Sequence, residues 1–233
     1  MSIADNISRI RGFIASAARH ASRDPEQIEL MAVTKTVSTD RIREAYDAGI
    51  RLFGENRVQE FESKVTALKG LPHARFHMIG HLQTNKAARA VELFTAVESV
   101  DSLRLARKLD SAAAQLGKKL PALIEINVGG EAAKSGVSPD STDIDELFAA
   151  APNLSHLDFC GLMTVPPYDD DPERSRPHFR RLRELAEKIR SRRLPAITME
   201  ILSMGMSHDF QVAIEEGATR VRVGTAIFGK RRV

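Results

Sequence analysis

The chain has 233 residues, 42% of them hydrophobic and 28% charged, enough for one well-buried core and too apolar for a mostly disordered chain. Its apolar runs, such as Pro121-Ala122-Leu123-Ile124, fall far short of the ~20 residues of a membrane span, and the opening MSIADNISRIRGFIASAARH is broken by charge, unlike a secretory leader. A single cysteine, Cys160, excludes an internal disulfide and a cysteine-cluster metal site and points to a reducing, cytoplasmic setting. The 34 basic and 31 acidic side chains leave a net charge of +3, too small a surplus to argue for nucleic acid, and no tryptophan is present to stack on bases.

In chain order, Ile3, Ile7, Ile10, Ile14 and Ala17 form one apolar stripe and predict a helix. IELMAVTKT (28–36) is a nearly continuous apolar run, suited to a strand buried on both faces. Thr39 is expected to cap the helix TDRIREAYDAG, with Gly49 at its C-terminus. RLFGEN (51–56) reads as strand, RVQEFESKVTALKG as helix, ARFHMIG (74–80) as strand and QTNKAARAVELF as helix. AVESVD, SLRLARKLDSAAAQLG and PALIEINV (121–128) continue the alternation as strand, helix and strand, followed by a helix over 139–151. LDFCGLMTV (157–165) is the sixth strand, before an Arg-rich helix with Phe179, Leu182, Leu185 and Ile189 on its buried stripe. ITMEILSM, the helix HDFQVAIEEG and a final strand TRVRVGTAIFG (219–229) complete the series.

Eight strands alternating with helices in this length predict an α/β fold, a single (β/α)8 TIM barrel occupying residues 1–233 as one domain. A doubly wound open sheet is the alternative. No helix is expected after the eighth strand, so the extra N-terminal helix would close the outer ring. The loop 166–177, rich in proline and charge, is expected to cap the mouth.

In such a barrel the chemistry lies at the C-terminal ends of the strands. They carry a polar ring with one lysine, Lys35. Its stem could simply snorkel to solvent, or a desolvated amine with a pKa below its reference of ~10.4 could condense with a carbonyl; the residue alone leaves both open. MGMSHDF offers Ser207 as a helix cap and Gly205 for close backbone approach, and RVGTAIFG offers Gly224 and Thr225. Strands seven and eight are where barrels often bind phosphate. Arg222 shares a strand face with Gly224 and would point into the mouth as a permanent donor, unless it pairs with Glu125 or Glu200. His77 and His81 lack companions at metal spacing, Cys160 reads as an inert buried thiol, and the arginines between Arg174 and Arg193 read as a solvated helix face.

The motifs MAVTKT, FGENRVQE (53–60), HMIGHLQTNK (77–86), GLMTV (161–165), LSMGMSHDF and RVRVGTAIFG resemble, in order and over nearly the whole chain, the pyridoxal phosphate homeostasis proteins. The resemblance implies the barrel also found in alanine racemase and eukaryotic-type ornithine decarboxylase, and pyridoxal 5′-phosphate (PLP) as cofactor, held as a covalent aldimine on Lys35. It further implies a phosphate cradle of Ser207, Gly224 and Thr225 with Met204 and Gly205 beside it, Arg222 as partner of the pyridine nitrogen, and Asn56, Met163 and Ser203 lining the pocket. Relatives often place a basic residue and a proline after the lysine, where this chain has Thr36-Val37-Ser38.

A permanently protonated arginine would leave the pyridine nitrogen without a proton and the ring a poor electron sink. Alanine racemase also uses a tyrosine opposite its lysine and a second domain, whereas this chain has only Tyr46 and Tyr168. The expectation is therefore a cytoplasmic, monomeric PLP carrier or buffer without robust turnover, in transient contact with PLP-dependent apoenzymes and with neither nucleic acid nor membrane as partner. A PLP-dependent racemase or decarboxylase is the alternative, and a cofactor-free Schiff-base aldolase a further one.

Overall fold

The computed structural model describes residues 2–131 and 135–229; the basic residues Lys230 to Arg232 lie outside them. Eight parallel strands close into a barrel in chain order: β1 (Glu29–Val33), β2 (Leu52–Glu55), β3 (Arg75–Met78), β4 (Ala96–Val100), β5 (Leu120–Glu125), β6 (Leu157–Met163), β7 (Ile197–Ser203) and β8 (Arg220–Val223). Closure is by β1 on β8, with Met31 opposite Arg222 and Ala32 opposite Val223. The short strands are apolar enough to be covered on both faces. Side chains such as Phe53, Phe76 and Val97 pack outward under the helices, while the alternate positions fill the barrel.

Nine helices surround these strands among the described residues: α1 (Ile3–His20), α2 (Thr39–Asp47), α3 (Val58–Leu68), α4 (Ala87–Leu93), α5 (Leu103–Gln115), α6 (Thr142–Ala150), α7 (Arg176–Ser191), α8 (Phe210–Glu215) and α9 (Thr225–Phe228). A reciprocal capping box of Ser2 and Asp5 starts α1. Its stripe of Ile3, Ile7, Ile10 and Ile14 is buried against α2, α8 and α9. The N-terminal helix thus covers the seam between the first and last strands, as expected, and Asn6 and Arg23 fasten it to the carbonyls of Ile227 and Ile214.

Three local expectations are corrected. The residues TAIF turn into α9 instead of extending the eighth strand, because the N–H groups of Ile227 and Phe228 fold back onto the Gly224 carbonyl. Ser38, not Thr39, occupies the N-cap of α2, without a side-chain bond. Ser207 does not cap α8; Asp209 holds that position, and Oδ1 of Asp209 accepts from the Met206 N–H. Two glycines are required by packing. A Cβ on Gly161, at the bulge between β6 and β7, would meet the Ile201 carbonyl at 2.0 Å. Gly205, at φ +90°, would meet Ala213 Cβ at 2.5 Å, so the seating of α8 leaves no room there for a side chain.

Candidate functional site

Strand ends β1, β7 and β8 bring the main expected residues to one mouth. Lys35 follows β1 on a turn and is half-buried. The neighbouring strand end is close, since a Cβ built on Gly224 would lie 3.4 Å from Val33 Cβ. Across from β8, the half-buried Ser207 accepts hydrogen bonds at Oγ from the Gly224 N–H (3.2 Å) and the Ala226 N–H (3.3 Å). These converging donors with a hydroxyl are the chemistry an anionic oxygen requires. Thr225, between them, is exposed.

Arg222 is buried in the barrel. Nη1 donates to the Ser203 carbonyl (2.6 Å) and hydroxyl (2.8 Å), and Nη2 to the Thr164 carbonyl (2.7 Å). No ion pair to Glu125 or Glu200 forms among the described residues; neutral carbonyls orient the guanidinium. Burial presses its pKa below the usual arginine value, against the pull of Glu98 and Glu125. Ser203 passes the contact downward, its hydroxyl donating to Glu98 Oε2 (2.6 Å). Met163 is paired in register with Ser203 and fully buried.

Below this lies a closed polar network. Glu98, wholly buried, accepts from His77 Nδ1 (2.7 Å), Arg220 Nη1 (2.6 Å) and Ser203, while Arg220 also binds Glu29. Burial works to raise the Glu98 pKa, but His77, Arg220 and Ser203 outweigh it and hold the carboxyl down at about 2. No single motif marks these groups. The sequence signal is a charged or imidazole side chain set among apolar ones on each of β3, β4 and β8.

Other expected residues lie around this convergence. Met204, in the hydrophobic core, and Gly205, packed against α8, are joined through their backbones to Arg220 and Arg222 of β8. Asn56 follows β2 and lines a cavity of about 280 Å³ with Met78, His81 and Lys86. His81 pairs with Asp101 on the rim, and among the described residues no group of three or more metal-type ligands occurs. Burial raises the Cys160 thiol to about 11, which leaves it inert at neutral pH. Arginines 176, 180, 181, 183 and 192 are tied to carboxylates, as a solvated face would be. Pro167 of the charged loop touches Gly129, and Tyr168 rests on His208, their ring centroids 5.0 Å apart.

In the sequence, Glu125 stands out only as an ion-pair candidate for Arg222. It is 7% exposed; Oε1 accepts from Ser135 (3.0 Å) and Oε2 has no partner. Burial, reinforced by Asp101, raises its pKa, with Ser135, Arg222 and His81 opposing.

The model of the alanine racemase N-terminal domain matches residues 5–232. A pyridoxal phosphate homeostasis protein of Aquifex aeolicus is 43% identical over 232 residues, covering 100% of both chains. The structure of PipY of Synechococcus elongatus superposes with a TM-score of 0.84 without PLP and 0.82 with PLP bound, at 37% identity, over 98% of this chain and all of that one. An alanine racemase of Clostridium difficile, 16% identical with a TM-score of 0.72, shares the fold over 98% of this chain and 58% of its own. No helix among the described residues is long and apolar enough to cross a membrane. The chain belongs to the alanine racemase N-terminal domain family and, within it, to the pyridoxal phosphate homeostasis proteins.

Proposed function

We propose that the chain, as one barrel domain, binds pyridoxal 5′-phosphate and acts as a cytoplasmic, monomeric carrier or buffer of it, passing it on through transient contact with apoenzymes. The observation that carries this reading is the meeting, at one mouth, of Lys35, the Gly224 and Ala226 N–H groups on Ser207, and the buried Arg222. These groups fit an aldehyde, a phosphate and a pyridine nitrogen respectively. The Lys35 amine is the group assigned to the Schiff-base link, formed with loss of water from the aldehyde carbon. Ser207 and the two N–H groups bind phosphate oxygens. Arg222 has five N–H donors and uses three on protein oxygens, so donors remain for the ring nitrogen. Bound PLP supplies an electrophilic carbon and an electron-withdrawing ring.

Holding is favoured over turnover by the state of the two tyrosines. Tyr46 donates to the Pro72 carbonyl, and the exposed Tyr168 donates to Asp170. Both hydroxyls are thus bonded to other protein oxygens. The PLP-bound PipY relative supports the cofactor. The alternative, an amino-acid racemase or related enzyme, draws on Glu125, whose buried oxygen without a partner could carry a proton.

The test is purified protein with PLP. A visible absorption band, and after borohydride a mass increase on Lys35 that is absent in Lys35→Ala, is the expected result; no band and no adduct overturn the reading. Incubation with single-enantiomer amino acids separates the two readings. Sustained turnover above Lys35→Ala, lost in Glu125→Gln, would establish the enzyme.

A further inference from the structure

Of the stretch Phe53–Glu60, only Asn56 was assigned to the site. Its two carboxylates meet Lys64 of α3 against the turn that carries Lys35. Lys64 is 9% exposed, and its Nζ donates to Glu60 Oε1 (2.6 Å), the Thr34 carbonyl (3.0 Å) and Glu55 Oε1 (3.1 Å). An ammonium has three donors, and all three are used. The Thr34 hydroxyl donates to Glu55 Oε1 (2.7 Å), and the Thr36 N–H donates to Glu60 Oε1 (2.5 Å). The residue before Lys35 is therefore held by carbonyl and hydroxyl, and the residue after it by its N–H.

The clamp acts where the backbone is strained. Thr36 lies at φ +61°, a left-handed conformation that a β-branched residue keeps only where its surroundings over-determine it. Stability alone accounts poorly for the arrangement, since the charges of Lys64 and Glu55 are taken from water and Glu55 Oε2 remains buried without a partner. We propose that Lys64, through Glu55 and Glu60, is a positioning residue that locks both peptide flanks of Lys35 and so aims its amine into the barrel mouth. The inference rests on the cofactor reading of Lys35 and deepens it. A flexible four-carbon stem can be aimed only if its root is fixed, and a displacement of 1 Å costs a bond-forming step up to about 10²-fold.

The test compares the parent protein with Lys64→Met/Glu55→Gln, which removes both buried charges together, with Lys64→Arg as the conservative rescue, and with Glu60→Gln, which weakens the hold on Thr36 and the Lys64–Glu60 pair while leaving Glu55 in place. Two readouts are taken. One, without cofactor, is the pH profile of Lys35 acetylation by limiting acetic anhydride, measured by mass against the exposed Lys119. The other is the rate of covalent PLP uptake. The expected result is a folded double variant with a displaced Lys35 profile and uptake slowed at least about tenfold, partial recovery in Lys64→Arg, and an intermediate loss in Glu60→Gln. A folded double variant with parental profile and rate overturns the clamp. Should the double variant not fold, a parental profile in Glu60→Gln does the same. A parent that takes up no PLP overturns the cofactor reading instead, and the acetylation profiles still decide the clamp.

Discussion

The floor and the mouth of this barrel are both polar, but they are polar in different ways. On the floor, Glu98 is answered by His77, Arg220 and Ser203, and Arg220 by Glu29 as well. At the mouth, Glu125 has an oxygen without a partner, and a single hydroxyl on Ser207 serves two backbone donors. A network closed on itself specifies structure. Groups whose bonding capacity is incompletely used mark where a ligand's chemistry can enter.

Several substitutions would break this contrast if it is wrong. The largest effect is expected from Arg220→Met, which leaves Glu98 buried without its strongest cationic partner. Urea unfolding should show a loss of about 3–5 kcal/mol, and a loss under about 1 kcal/mol would mean the floor is not the closed network described. Acid titration sharpens the same point. Glu98 is held at about 2 in the fold against an ordinary value of 4.5, so the unfolded chain binds its proton first. The stability it contributes is complete above about pH 4.5 and is lost as the pH falls toward about 2. Glu98→Gln should flatten that limb in unfolding measured across the range.

Mouth substitutions should move binding more than folding. Ser207→Ala removes the acceptor of two N–H groups and one donor to a ligand. It is expected to cost about 1 kcal/mol of stability while weakening PLP binding about tenfold in a fluorescence titration, and equal affinity would remove Ser207 from the cradle. The smallest effect is at Glu125. Its pKa is raised in the fold, so the folded state holds the proton longer and parental stability falls as pH rises above the ordinary carboxylate value. Glu125→Gln should lack that fall and unfold at slightly higher temperature at pH 8 than the parent, with little difference at pH 4.

The strand–helix alternation was legible because each strand is a short apolar run punctuated by glycine or a cap, and Lys35 was legible because it is a lone charge at the end of such a run. What was not legible depends on partners distant in sequence. Ser207 resembles a local helix cap, yet it accepts from Gly224 and Ala226 on the next strand's loop. TAIF continues the apolar pattern of RVRV, and only the turn at Gly224 reveals a helix. Glu98 is answered from β3, β7 and β8, no two of its partners sharing an element, so no spacing within the chain encodes it. Lys64 lies four residues from Glu60, which reads as an ordinary helix pair; its reach to the Thr34 carbonyl appears only in three dimensions.

The seam between β1 and β8, spanned by α1, has a consequence for synthesis. Lys35 leaves the ribosome well before the Ser207–Gly224 cradle, and the pairing of Met31 with Arg222 that joins them is the most non-local in the barrel. Such contacts form late because loop closure must be paid first. A nascent chain therefore carries the amine long before it carries the anion donors, and the two halves of the proposed site come together in the same event that finishes the fold.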